Sequence, residues 1–440
     1  MSLAEILSRI RIPGCVQFPV PDDLEALTIR GEECSPSDLK LSRVHVEAIW
    51  ESVADLYSTG LYPGIQLTVR RQGRVVLDRA IGHVLPPPTD APRSESAARL
   101  TPNTPFVLYS VSKVMTALLI HKLDEEGQIH MDDRVAEYLP EFATRGKEDM
   151  TIRHLLTHRA GIPDFPREAT DPAIYGSPLA VTSVLAQQKP VSLPGQYQAY
   201  HGVTSGAVLG ALIHRVTGHS PRRLLDRVIR KPLGCRWMSY GVARRSQCKV
   251  ARDILTGFSV KPPISWIFDK ALGMPFEDLV ERAGTPDFLN GVIPSLNVVA
   301  TSGEVSRLFQ CLLEGGSVGG VQLFDRRTVH RVISDQNRWQ FDHTAMVPLR
   351  LSGGMVLSGR WLGLFGFDSP RAFGHNGFTN IFAWADPERD LAATILSSGK
   401  PLLTPHIALL ARFYAAMWVA FPRLTRNDNF RIWQGQATTA

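Results

Sequence analysis

Strand-forming patterns crowd the two ends of this chain and leave its middle to helices. GIQLTVRRQGRVVLDRAIGH, from Gly64 to His83, holds two β-rich runs around Gln72-Gly73 and reads as a hairpin. Alternation of that kind returns only in MVPLRLSGGMVLS, TNIFAWAD and LAATILSS, the first of which begins at Met346. Between them TIRHLLTHRAGIP, VTSVLAQQ, TSGAVLGALIHRVTG and SPRRLLDRVIRKPLG carry helical patterns, separated by loops of Pro, Gly and Asp. In the last, Ser220 and Pro221 stand where an N-cap and a first-turn proline belong. Strands at both ends imply one sheet whose halves lie far apart in sequence, with the helical region inserted between them. The expected division is an extension at 1–42, a sheet domain from 43–125 and 290–425, a helical insertion at 126–289 and a tail at 426–440.

A chain of 440 residues with 44% hydrophobic and 20% charged residues can bury a large core. Its net charge of +6 is spread along the chain, where a nucleic-acid protein concentrates charge on one face or helix. The densest stretch, Arg222, Arg223, Arg227, Arg230 and Lys231, alternates with Leu224, Leu225, Val228 and Ile229 at helical spacing. It reads as the wet side of an amphipathic helix, so no nucleic-acid partner is expected. Five scattered cysteines without a CxxC pair fit reduced thiols. Glu5, Arg9 and Arg11 interrupt what a signal peptide would need to keep apolar, so a cytoplasmic location is expected. The late apolar segment 406–421 is short and contains Arg412. It reads as a helix packing on a sheet, with peripheral membrane contact as the alternative and no integral span.

SVSKVMTALLIHKLDEEG, Ser110 to Gly127, is apolar on nearly every side, which marks a buried helix, and glycine is the usual residue past a helix end. Ser110 and Lys113 stand three apart at its mouth, on one face. A lysine inside the protein loses its preference for the ammonium form, by up to ~3–5 pKa units when fully buried. The neutral amine can take the proton of a serine, a weak nucleophile that needs such a base. Ser110 at a helix N-terminus also has its backbone N–H uncommitted.

The surrounding text, TPNTPFVLYSVSKVMTALLIHKLDEEGQIHMDDRVAEYLPEF and MTIRHLLTHRAGIPDF, resembles the β-lactamase-like serine hydrolases. These include class C β-lactamases, DD-peptidases, family VIII esterases and D-amino-acid-specific peptidases. The resemblance continues through PGQYQAYHGVTSGAVLGALIHRVTG, VVATSGEVSRLFQCLLEGG and FGHNGFTNIFAWADPERDLAATIL, and covers roughly residues 45–415. It implies an α+β fold, an antiparallel sheet flanked by helices with an inserted mainly helical domain. It also implies that Ser110 is the nucleophile, Lys113 the activating lysine and Tyr200 the tyrosine of the second motif. That phenol can pass a proton to a leaving group, and beside a cation it can sit partly as phenolate. His375, Asn376 and Gly377 match the third motif, a strand edge lining the substrate site, and the N–H groups of Phe378 and Ser110 match an oxyanion hole.

Two departures bear on substrate. The family's Tyr-x-Asn is here Tyr200-His201-Gly202, so no side-chain amide is offered where one would meet the substrate. A lysine normally opens the third motif; His375 in its place is mostly neutral at pH 7. Both point from β-lactams toward simpler esters, with acyl transfer to water or another alcohol and without metal or organic cofactor. A D-amino-acid amidase or weak β-lactamase is the alternative, and an inactive binding protein on the same fold is the alternative of another class. His201 reads as a packing residue rather than a helper. ISWIF at 264–268 reads equally as acyl pocket or as core. Gly315-Gly316-Ser317-Val318-Gly319 fits G-x-S-x-G, but Ser317 follows a helix and lies in a glycine turn, which excludes it as nucleophile. His154 and His158 have zinc-protease spacing, yet Leu155 stands where the catalytic glutamate would be, so no metal site follows.

Overall fold

Gln72 and Gly73 adopt left-handed φ values of 51° and 76°, which is what a two-residue hairpin turn requires of both its central residues. The computed structural model describes residues 12–85, 98–334, 339–360, 363–402, 404 and 406–424. The tail at 426–440, the first eleven residues and residues 86–97 lie outside them. The strands of the main sheet are β1 (Thr28–Arg30), β2 (Gly64–Arg71), β3 (Arg74–Gly82), β4 (Gln340–Asp342), β5 (Val347–Leu351), β6 (Val356–Leu357), β7 (Phe373–Gly377), β8 (Ile381–Asp386) and β9 (Leu391–Ser397). They form one nine-stranded sheet in the order β1-β3-β2-β9-β8-β7-β6-β5-β4. Every pairing is antiparallel. The two halves meet where β2 pairs with β9, Leu67 opposite Ile395. Residues 28–30, within the stretch read as irregular extension, add the edge strand on β3.

Four helices frame the sheet: α1 (Arg43–Ser58), α2 (Ser112–Glu125), α3 (Ser302–Leu313) and α4 (His406–Ala420). Side chains alternate across a strand, so β2 serves two cores. Ile65, Leu67 and Val69 pack with Val46, Ile49 and Val53 of α1 and Phe413 of α4. On the opposite face Gln66 accepts the Ser302 N–H at 2.6 Å and the Thr68 hydroxyl lies 2.7 Å from that of Ser302, which seats α3. That face carries the larger core, where α2 meets the inserted helices. All residues of α2 from Ser112 to His121 are buried, as its all-round apolar pattern requires, and Gly127 just beyond it has φ 67°.

The late apolar segment is α4, which turns Leu409, Phe413 and Met417 inward over α1 and the sheet. No helix among the described residues is long and apolar enough to cross a membrane. Ser317 lies in a small hairpin with Val321–Gln322, not between a strand and a helix. Arg222 departs from the wet-face expectation: its guanidinium is tied to the carbonyls of Tyr240, Asn290 and Gly291.

Candidate active site

Ser110 stands one turn ahead of α2 proper, in a 3₁₀ turn over Tyr109–Val111. The turn's first bond runs from Val111 N–H to Leu108 O, which leaves the Ser110 N–H ahead of the ladder. Tyr109 takes φ 47°, a left-handed conformation that costs a bulky residue about 1–3 kcal/mol and persists only where its surroundings enforce it. Ser112 is spent on structure, its hydroxyl accepting the Val298 N–H at 3.0 Å.

Lys113 follows on the first turn of α2, 7% exposed. Its Nζ lies 3.3 Å from Ser110 Oγ, 2.7 Å from Gly202 O and 3.4 Å from Ser295 O. Burial lowers its pKa to about 7. A neutral amine has two N–H donors and one lone pair. With the donors on the two carbonyls, the lone pair is left for the serine hydroxyl.

Tyr200 is set over this pair by Asp342 of β4, whose Oδ1 accepts the Tyr200 N–H at 2.9 Å. The same oxygen takes the N–H groups of Thr344 and Ala345, so the carboxylate links the β4–β5 turn to the tyrosine. The tyrosine ring lies 4.9 Å from Lys113 Nζ and 4.6 Å from the His158 ring. Lys113 faces the ring, and burial raises the phenol's pKa against a smaller pull from its hydrogen bond with Ser110, which favours the protonated phenol over a partial phenolate.

His154, His158 and His201 have their ring nitrogens or rings tied into the surrounding chain. Both ring nitrogens of His201 are engaged, Nδ1 donating to Ala199 O at 2.6 Å and Nε2 accepting from Ile162 N–H at 3.2 Å. His158 accepts the His201 N–H and supports Tyr200 from below. His154 closes a capping box with Thr151.

The β7 edge approaches the serine turn so closely that only glycine fits. A Cβ on Gly377 would stand 2.7 Å from Leu108 O. In the turn that follows, the Phe378 ring stacks on that of Tyr109 at 5.2 Å. His375 is buried, and burial together with Lys113 pushes its pKa down to about 3, so it is neutral across the physiological range. Asn376, half-buried, completes the strand edge.

Gly202 does more than lack an amide. Its carbonyl anchors Lys113, and a Cβ there would stand 2.5 Å from Ala271 O. The helix Ile264–Leu272, which contains ISWIF, fills the place where an asparagine side chain would project. From that helix Phe268 reaches Phe276 at 5.1 Å and Phe378 at 5.8 Å. Phe268 thus belongs to an aromatic wall beside the site, whereas Trp266 of the same run is exposed.

The model of the beta-lactamase family matches residues 51–412. The chain belongs to the beta-lactamase family. Among its relatives, an esterase/beta-lactamase, LipL, of Mycobacterium tuberculosis is 27% identical over 313 residues, 68% of this chain and 70% of that protein. An Escherichia coli K12 protein bearing the name D-alanyl-D-alanine carboxypeptidase is 26% identical over 352 residues, 77% of this chain and 78% of its own. The crystal structure of a family VIII carboxylesterase superposes with a TM-score of 0.73 at 24% identity, covering 88% of this chain and 98% of that one. The α+β architecture expected from the resemblance is thus the family's fold. Within a beta-lactamase-fold chain of serine hydrolase type, Asp342 is the site residue that sequence reading missed. FDHTA offers an Asx-type turn and nothing that points to Tyr200, 142 residues away.

Proposed function

We propose that this chain is a carboxylesterase that cleaves small or medium esters through an acyl-enzyme on Ser110. The observation that carries the choice of ester is the contact between Gly202 and Ala271: backbone occupies the space of the amide that would hold a peptide or β-lactam side chain. His375, neutral, supplies no cation for a substrate carboxylate. The wall of Phe268, Phe276 and Phe378 suits an apolar acyl group. The esterase names among the relatives agree with this reading.

In the proposed cycle Ser110 Oγ attacks the ester carbonyl while its proton passes to Lys113 Nζ. The tetrahedral oxyanion accepts hydrogen bonds from the N–H groups of Ser110 and Phe378. Tyr200 gives its proton to the departing alcohol and recovers one from Lys113, which resets the amine. Water, or a second alcohol in transesterification, then attacks the acyl-enzyme by the same proton route.

Hydrolysis of p-nitrophenyl butyrate by the wild type and by Ser110→Ala tests this. Turnover by the wild type alone supports a Ser110 esterase; equal turnover by both removes Ser110. The second reading, a D-amino-acid amidase, is favoured by the carboxypeptidase name of one relative. It gains if D-alanyl anilides are turned over faster than the ester.

A further inference from the structure

Tyr109 cannot hold its left-handed backbone by propensity, so something in the fold must hold it. Its ring is fully buried and its hydroxyl donates to Asp253 Oδ2 at 2.8 Å. Asp253 Oδ1 pairs with Lys400 Nζ at 2.9 Å, and that ammonium lies 5.1 Å from the centre of the Tyr109 ring. Lys400 also donates to Ser397 O at 2.6 Å, at the end of β9. Asp253 and Lys400 are 8% and 0% exposed. Their backbones are stitched together, Ile254 N–H to Ser398 O and Lys400 N–H to Ile254 O. The residues just before Asp253 bind Val84 O and Pro105 O, close to the chain that leads into Ser110. Two distant segments, around Asp253 and Lys400, therefore converge on the one residue that precedes the serine.

A buried ion pair of this kind is a poor source of net stability, because desolvation offsets most of the attraction and apolar residues of equal volume often do as well. What it supplies here is position. The peptide joining Tyr109 to Ser110 carries one oxyanion donor, and its orientation follows from the Tyr109 backbone. The other donor is on Phe378, whose ring rests on the face of Tyr109 at 5.2 Å. We infer that Tyr109, Asp253 and Lys400 form a buried positioning unit that holds the two oxyanion donors in register, none of the three touching the substrate. The inference rests on the acyl-enzyme reading of Ser110 and deepens it.

The test compares Tyr109→Phe and the double variant Asp253→Leu/Lys400→Met with the wild type. The double variant keeps an apolar filling where single removal would strand a buried charge and threaten the fold. For each, kcat and KM on p-nitrophenyl butyrate are measured with the rate of Ser110 labelling by a fluorophosphonate. The inhibition constant of an alkyl trifluoromethyl ketone, whose adduct places an oxyanion in the hole, is measured alongside. The expected result is a kcat about tenfold to hundredfold lower. KM should stay within about threefold, ketone affinity should fall in parallel with kcat, and the acidic limb of the pH profile should not move, since Lys113 is untouched. Unchanged kcat and ketone affinity in both folded variants, with at most a lower Tm, would overturn the inference and leave the esterase reading standing. Absence of Ser110 labelling in the wild type itself would overturn both.

Discussion

The carbonyl of Gly202 accepts a 2.7 Å hydrogen bond from Lys113 Nζ, so the residue that departs from the family's asparagine is also the one that aims the candidate base. Its glycine identity follows from the 2.5 Å approach to Ala271 O rather than from any demand of φ. Substituting the family's residue should therefore damage this site. Gly202→Asn forces the helix Ile264–Leu272 outward, an overpacking that costs ~1–3 kcal/mol. Expected are a lower Tm, a lower kcat on p-nitrophenyl butyrate and no gain of cephalosporin hydrolysis. A variant with wild-type Tm and new cephalosporinase activity would show that the space is open and the substrate reading wrong.

The pH dependence follows from Lys113. The free enzyme should be active with the amine neutral, so kcat/KM rises about tenfold per pH unit below about 7 and levels off above it. In the unfolded chain a lysine titrates near ~10.4. Between those two values the unfolded chain binds the extra proton, so folding stability rises with pH across that window. Lys113→Met should lose turnover while losing this slope. A kcat/KM profile flat from pH 5 to 9 in the wild type counts against lysine as the base.

Tyr200 carries a proton that only some leaving groups need. Tyr200→Phe should lower kcat/KM, which reports acylation, by ~10²–10⁴-fold on an ethyl or butyl ester, whose alkoxide cannot leave unprotonated. On a p-nitrophenyl ester the loss in kcat/KM should be much smaller, because that phenolate leaves without help. Equal losses on both would assign the tyrosine to orientation of Ser110 instead of proton delivery.

The candidate pair was legible where it is local. Ser110 and Lys113 are three residues apart on one buried helix mouth, and the all-apolar run around them carries its own signal. The hairpin at Gln72-Gly73 and the meeting of β2 with β9 followed from alternation near the chain ends. What was not legible comes from pairs joined only by the fold. Asp342 bonds Tyr200 from 142 residues away, and Tyr109, Asp253 and Lys400 share no motif. Gly202 was legible as a missing side chain, but not the helix that takes its place. Residues 28–30 form an edge strand too short for alternation to register among its neighbouring prolines.

Phe268 offers the sharpest probe of the acyl group, because it reaches Phe378 edge-on at 5.8 Å. It is half-buried, so truncation opens the wall without emptying the core. Phe268→Ala should raise KM for p-nitrophenyl butyrate by about tenfold or less, the loss of one apolar contact surface. Longer acyl chains can enter the space it vacates, so the ratio of kcat/KM for octanoate over butyrate should rise in the variant. Ser110 labelling by a small fluorophosphonate should proceed at the wild-type rate, since neither oxyanion donor moves. If the chain-length ratio stays constant while labelling slows, Phe268 supports Phe378 rather than lining the pocket, and the acyl group lies elsewhere.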